Sequence, residues 1–151
     1  FSVMTAWCHG APGIALARTI VRDVLHDAAC GPEIDVALKT TIASSLGALD
    51  HACCGNMGRS HVLVTVGRRL GRPDVVAAGV DVATRTAERA SRRQLYGLRG
   101  SGVDYRVFDP GFFRGLSGIG YSLLHAARPE RLPSVLAFEA VGPVPSEGTL
   151  S

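Results

Sequence analysis

The chain has 151 residues, 46% of them hydrophobic and 19% charged, with a formal net charge of +3. That length and apolar content suffice for one packed domain and exclude an intrinsically disordered chain. So mild a charge, with its 16 Lys and Arg scattered, also excludes a strongly basic nucleic-acid binder.

Apolar residues recur at helical spacing along most of the sequence. Ala17, Ile20, Val21, Val24, Leu25 and Ala28 form a first stripe, with Arg18, Arg22 and Asp23 on the other face. After a Gly31-Pro32 break, Ile34, Leu38, Ile42, Leu46 and Leu49 form a second, with Glu33 and Asp35 in its first turn. Val62, Leu63, Val66 and Leu70 predict a third helix, closed by Gly71. A fourth opens at Pro73-Asp74 and extends to about Tyr96. The basic run 85–100 has the spacing of a solvated helix face and lacks interleaved aromatics, so no nucleic-acid partner is expected.

Residues 97–113 hold four glycines and a proline and read as a long ordered loop. Leu116, Ile119, Leu123 and Leu124 predict a fifth helix, stopped by Pro129. Residues 142–151, rich in Pro, Ser and Gly, read as a flexible tail. No run alternates with period two. The expected fold class is therefore all-α, with the domain over residues 1–141.

The apolar runs, such as Ile14–Ala17 and Val62–Val64, fall far short of the ~20 residues a bilayer span needs. The start shows no basic region followed by an apolar stretch, so a cytoplasmic protein is expected. A motif is already under way by Trp7, which reads as part of a longer protein.

Three segments share one frame: "HGAPGIAL" (9–16), "CGNMGRSH" (54–61) and "RGLSGIGY" (114–121). Each places Gly-x-x-Gly ahead of a helix, with Gly10 and Gly13, Gly55 and Gly58, Gly115 and Gly118 as the pairs. A long helix between copies gives a helix-pair repeat of the kind that stacks into solenoids or closes into rings. The residues just before each Gly-x-x-Gly then meet at a shared end. In the first two copies these are Cys8, His9, Cys53 and Cys54; in the third they are Phe113 and Arg114.

Adjacent cysteines bridge each other only through a strained ring, so free thiols are expected. Cys8, Cys53 and Cys54 would offer zinc three soft donors and leave a fourth position open, the pattern of a catalytic rather than a structural site. The competing reading is buried cysteine acting as a small apolar residue in a plain helical scaffold. Cys30, beside Gly31-Pro32, fits that second role. His9 could be a ligand, a donor to one, or a turn residue. His26, His51, His61 and His125 fall on predicted helical segments and read as satisfied or exposed histidines, although His61 lies in the repeat frame and could approach the site. Arg59, Arg114 and the 97–113 loop border the predicted cleft and are candidates to hold a substrate.

"WCHGAPG" (7–13), "CCGNMGR" (53–59), "PGFFRGLSGIGYSLL" (110–124) and "LPSVLAFE" (132–139) together resemble the carboxy-terminal part of LanC-type lanthipeptide cyclases. The last two blocks are most similar to the cyclase domain of class II synthetases, the LanM type. The resemblance implies an α/α toroid of inner and outer helices, of which only the C-terminal part is present. It implies Zn2+ held by Cys8, Cys53 and Cys54, in the all-cysteine variant of a site where many relatives have Cys-His. The implied reaction is Michael-type addition of a peptide cysteine thiol to dehydroalanine or dehydrobutyrine, giving a (methyl)lanthionine ring. The implied partners are a ribosomally made precursor peptide and the remainder of the synthetase. In such enzymes the acid-base residues lie upstream of the Trp-Cys motif, so His9 is the one local candidate, and the isolated chain is not expected to cyclise. A non-catalytic zinc-, thiol- or peptide-binding relative would carry the same three cysteines.

Overall fold

The structure, a computed structural model, describes residues 4–98 and 108–140. Among these it is helical with no strand: α1 is Ala11–Leu25, α2 Gly31–Ala43, α3 Asn56–Arg69, α4 Pro73–Arg93 and α5 Leu116–Ala127. Short 3-10 turns lie at Ala28–Cys30 and Val135–Ala137. The all-α expectation is met. The expected tail, and the part of the expected loop from 99 to 107, lie outside the described residues.

Helix starts follow the sequence signals closely. Pro12, Pro32 and Pro73 occupy the first turns of α1, α2 and α4, where a missing N–H costs no helical hydrogen bond. Two helix ends differ from expectation. The first helix stops at Leu25, where His26 turns into the left-handed region at φ 55°. The second stops at Ala43, not near Leu49. Its apolar spacing continues through Leu46, but the Asn56 side chain binds both the N–H and the carbonyl of Gly47 and draws residues 44–55 into an irregular loop.

The helices that follow Gly-x-x-Gly lie side by side. α3 packs between α1 and α5, while α2 backs α1 and α4 backs α3. α3 is buried along its length from Asn56 to Gly67, so its sequence need not be amphipathic. One core joins Leu16, Ile34, Leu38, Leu63, Val66 and Val75 across α1 to α4. A second gathers Met57, Val64, Ala83 and Ile119 between α3, α4 and α5.

The repeat is structural as well as sequential. The first N–H of each of α1, α3 and α5 donates to the carbonyl seven residues earlier: Ala11 to Met4 (3.0 Å), Asn56 to Leu49 (2.9 Å), Leu116 to Asp109 (2.8 Å). The second glycine of each motif sits against the carbonyl six residues back. A Cβ would lie 2.2 Å from the Trp7 oxygen at Gly13, 1.9 Å from that of Ala52 at Gly58 and 1.8 Å from that of Phe112 at Gly118. Only glycine permits that approach.

Candidate metal centre

The three turns meet through the same position in each. Cys8 N–H donates to the Cys53 carbonyl at 3.4 Å, and Cys53 N–H to the Phe113 carbonyl at 2.8 Å. Trp7 of the first turn stacks on Phe113 of the third, centroids 5.6 Å apart, and walls one side of the junction. This register carries Cys8 to Cys53 and Cys54 across 45 residues of sequence.

The Sγ atoms of Cys8 and Cys54 are 3.3 Å apart, as are those of Cys54 and Cys53. All three lie within 4.8 Å of one another. Thiolates around one zinc at about 2.3 Å stand about 3.8 Å from each other, so this spacing suits one ion without rebuilding the turns. Cys8 is exposed and the other two are half-buried, which leaves an open side. The donor set fits a zinc with three protein thiolates.

Electrostatics points the same way. Three thiols this close cannot all ionise without a cation between them. Partial burial works against the Cys8 thiolate, but contacts with Cys53, Cys54 and His9 outweigh it and hold Cys8 below the ordinary thiol range. Burial, then the Cys54 and Cys8 neighbours, push Cys53 up to about 12. Burial also raises Cys54, with Cys8 adding to it and Arg114 pulling the other way.

The other expected site residues fall in distinct places. His9 Nδ1 is 2.9 Å from Cys8 Sγ, on the exposed edge of the cluster. Arg114 is exposed beside it, and its charge acts on both Cys54 and His51. Arg59 points inward instead: it is 3% exposed, and its guanidinium donates to the carbonyls of Ser45 (2.7 Å) and Ser44 (3.2 Å). It holds the loop leading to the cysteines, where the sequence suggested a residue lining the cleft. Cys30 is buried in the core, outside the triad.

His61 is a satisfied core histidine, not a neighbour of the thiols. Its ring nitrogens lie 3.3 Å from Ser122 Oγ and 3.0 Å from Ser134 Oγ, and it stacks on His125 at 4.0 Å. Burial keeps both rings neutral, at about 3 for His61 and about 4 for His125. His26 caps α1, and His51 lies in a turn rather than a helix.

Sequence reasoning missed the network beneath Cys53 and Cys54. The buried Asp50 carboxylate pairs with Arg89 and accepts from Asn56 Nδ2 (2.8 Å) and Gly97 N–H (2.7 Å). It fixes the cysteine turn to α4 and to the chain beyond it. The signal available was "DHACCGN", in which every polar residue serves the turn.

Among the described residues, no helix is long and apolar enough to cross a membrane. Comparison with curated proteins returns no match, and comparison with solved structures returns none. The family model for the Lanthionine synthetase C-like protein matches residues 1–137, and the chain belongs to that family.

Proposed function

We propose that this member of the lanthionine synthetase C-like family is the C-terminal portion of a cyclase domain of the class II, LanM type. It belongs to a larger synthetase and takes part in closing (methyl)lanthionine rings in a precursor peptide. A cysteine thiol of the peptide adds to dehydroalanine or dehydrobutyrine, forming the thioether carbon–sulfur bond. The observation that carries this reading is the convergence of three sulfurs from two repeat turns, with one side open.

Cys8, Cys53 and Cys54 would hold zinc, which when bound supplies a position that keeps an incoming thiol ionised near neutral pH. The chain's own residues do the rest. Trp7 and Phe113 form an apolar wall beside the site that limits water around the reacting groups. Arg114, exposed next to Cys54, offers a cationic contact for the peptide. His9, against Cys8, is placed to exchange a proton at the edge of the cluster. Arg59 serves by holding the 44–55 loop. In this reading α1, α3 and α5 are inner helices of an α/α toroid, and α2 and α4 are outer ones.

The test is zinc content of the intact parent protein, wild type against Cys8→Ala and Cys53→Ala/Cys54→Ala, with ring formation followed by mass and by thiol alkylation. About one zinc per chain, lost in both variants together with ring formation, is expected. Zinc lost without any effect on rings would leave a binding module. No zinc in the wild type would leave a helical scaffold.

A further inference from the structure

We propose that His51 is a positioning residue for the metal centre, holding the Cys54 ligand in place through its backbone amide. The inference rests on the metal reading above.

Each of the three cysteines has its N–H pinned, but not in the same way. Cys8 donates to the Cys53 carbonyl and Cys53 to the Phe113 carbonyl, both through backbone contacts between repeat turns. Cys54 stands one residue further on, at the position of His9 and Arg114 in the other copies. Its N–H donates instead to His51 Nδ1 at 3.2 Å.

That acceptor is particular to the middle turn. Four residues before the first glycine, the first copy has Ala6 and the third has Gly111. Neither side chain can accept a hydrogen bond. The one copy that supplies two adjacent ligands is the one that carries an imidazole there.

The ring is buried and the backbone that carries it is held tightly. His51 is 1% exposed, and its carbonyl accepts Gly55 N–H at 2.9 Å. Gly55 packs so closely on it that a Cβ would lie 2.5 Å from the His51 N and O atoms. A backbone N–H only donates, so Nδ1 carries no proton in this bond and the ring proton is on Nε2. Two consecutive residues whose side chains must both reach one ion need a defined peptide plane between them. The Cys53–Cys54 plane is held at its carbonyl, which accepts the Cys8 N–H, and at its N–H, which donates to His51 Nδ1.

The experiment is a cobalt(II) titration of the intact protein, read by thiolate-to-cobalt charge-transfer absorption, for wild type, His51→Asn and His51→Phe. Circular dichroism confirms that each variant folds. Asn places Oδ1 near the position of Nδ1 and restores an acceptor; Phe fills the volume without one. His51→Phe should lower cobalt affinity roughly 10- to 100-fold and weaken the charge-transfer band, with His51→Asn within about threefold of wild type. Equal affinity in all three proteins, or equal loss in both variants, would overturn the inference while leaving the metal reading intact. No cobalt bound by the wild type would overturn both. If His51→Phe does not fold, the wild type answers directly: a 15N–15N coupling across the hydrogen bond from Cys54 to His51 Nδ1 supports the inference, and its absence sinks it.

Discussion

The Cys53 N–H donates to the Phe113 carbonyl at 2.8 Å, which joins the same position in two copies of one turn. Cys8 occupies that position in the first copy and donates to Cys53 in the same sense. The candidate site is therefore a consequence of the repeat, and what holds the repeat together also holds the sulfurs.

The glycines of α5 test this directly. Gly118→Ala would place a methyl 1.8 Å from the Phe112 oxygen, a backbone atom with nowhere to move, and should cost about 3 kcal/mol. Gly120, two residues along the same helix, faces open space, and Gly120→Ala should gain about 0.5–1 kcal/mol from helix propensity. Urea unfolding of the two variants gives opposite shifts in midpoint.

Zinc uptake should be coupled to proton release. Cys53 and Cys54 both lie above the ordinary thiol range, so both are protonated at pH 7.5 and must lose their protons on binding. At least about two protons should leave per metal, as seen by calorimetry in buffers of differing ionisation enthalpy. Because Cys53 is pushed up to about 12, affinity should keep rising above pH 9, where an ordinary thiol has already ionised.

Asp50 should matter more than any surface pair. It is 2% exposed, and its removal leaves the Arg89 charge without its counter-ion and the Gly97 N–H without its acceptor. Asp50→Ala should cost about 3–5 kcal/mol. Arg85→Ala, which breaks an exposed pair with Asp81, should cost at most about 0.5 kcal/mol. A chemical-denaturation series that ranks the two equally would contradict the buried network.

Stability should fall in mild acid. His61 and His125 bind protons at about 3 and about 4 when folded, below the 6.5 of an unfolded histidine. Between those values the unfolded chain holds more protons, so stability rises with pH up to about 6.5 and is lost as pH falls below it. At pH 5 each ring should contribute about 2 kcal/mol of destabilisation relative to pH 7.5. His125 Nδ1 is buried without a hydrogen bond, so His125→Phe is tolerable and should remove about half of the slope.

Much of this was legible in the sequence. Apolar spacing and proline placement gave five helices, and the shared Gly-x-x-Gly frame puts Cys8, Cys53 and Cys54 at one end of the repeat. What stayed hidden was polar burial. Periodicity counts apolar residues, and continued α2 through Leu49 because the pull of Asn56 on Gly47 has no hydrophobic signature. Arg59 looked like a residue bordering the cleft, and His51 and His61 like satisfied or exposed histidines whose partners had no signal. Ser44 and Ser134 lie 15 and 73 residues from their partners, and Cys54, only three residues from His51, meets it through a turn that has no apolar period.

The three sulfurs are carried by turns that head α1 and α3, two helices packed along their length through Leu16, Val62 and Val66. A slip of one helix past the other by a single turn, about 5.4 Å, would exceed the whole width of the sulfur cluster. Metal affinity thus works as a vernier on helix alignment: trimming a buried methyl far from any thiol would be read at the cysteines before it was felt in the melting curve.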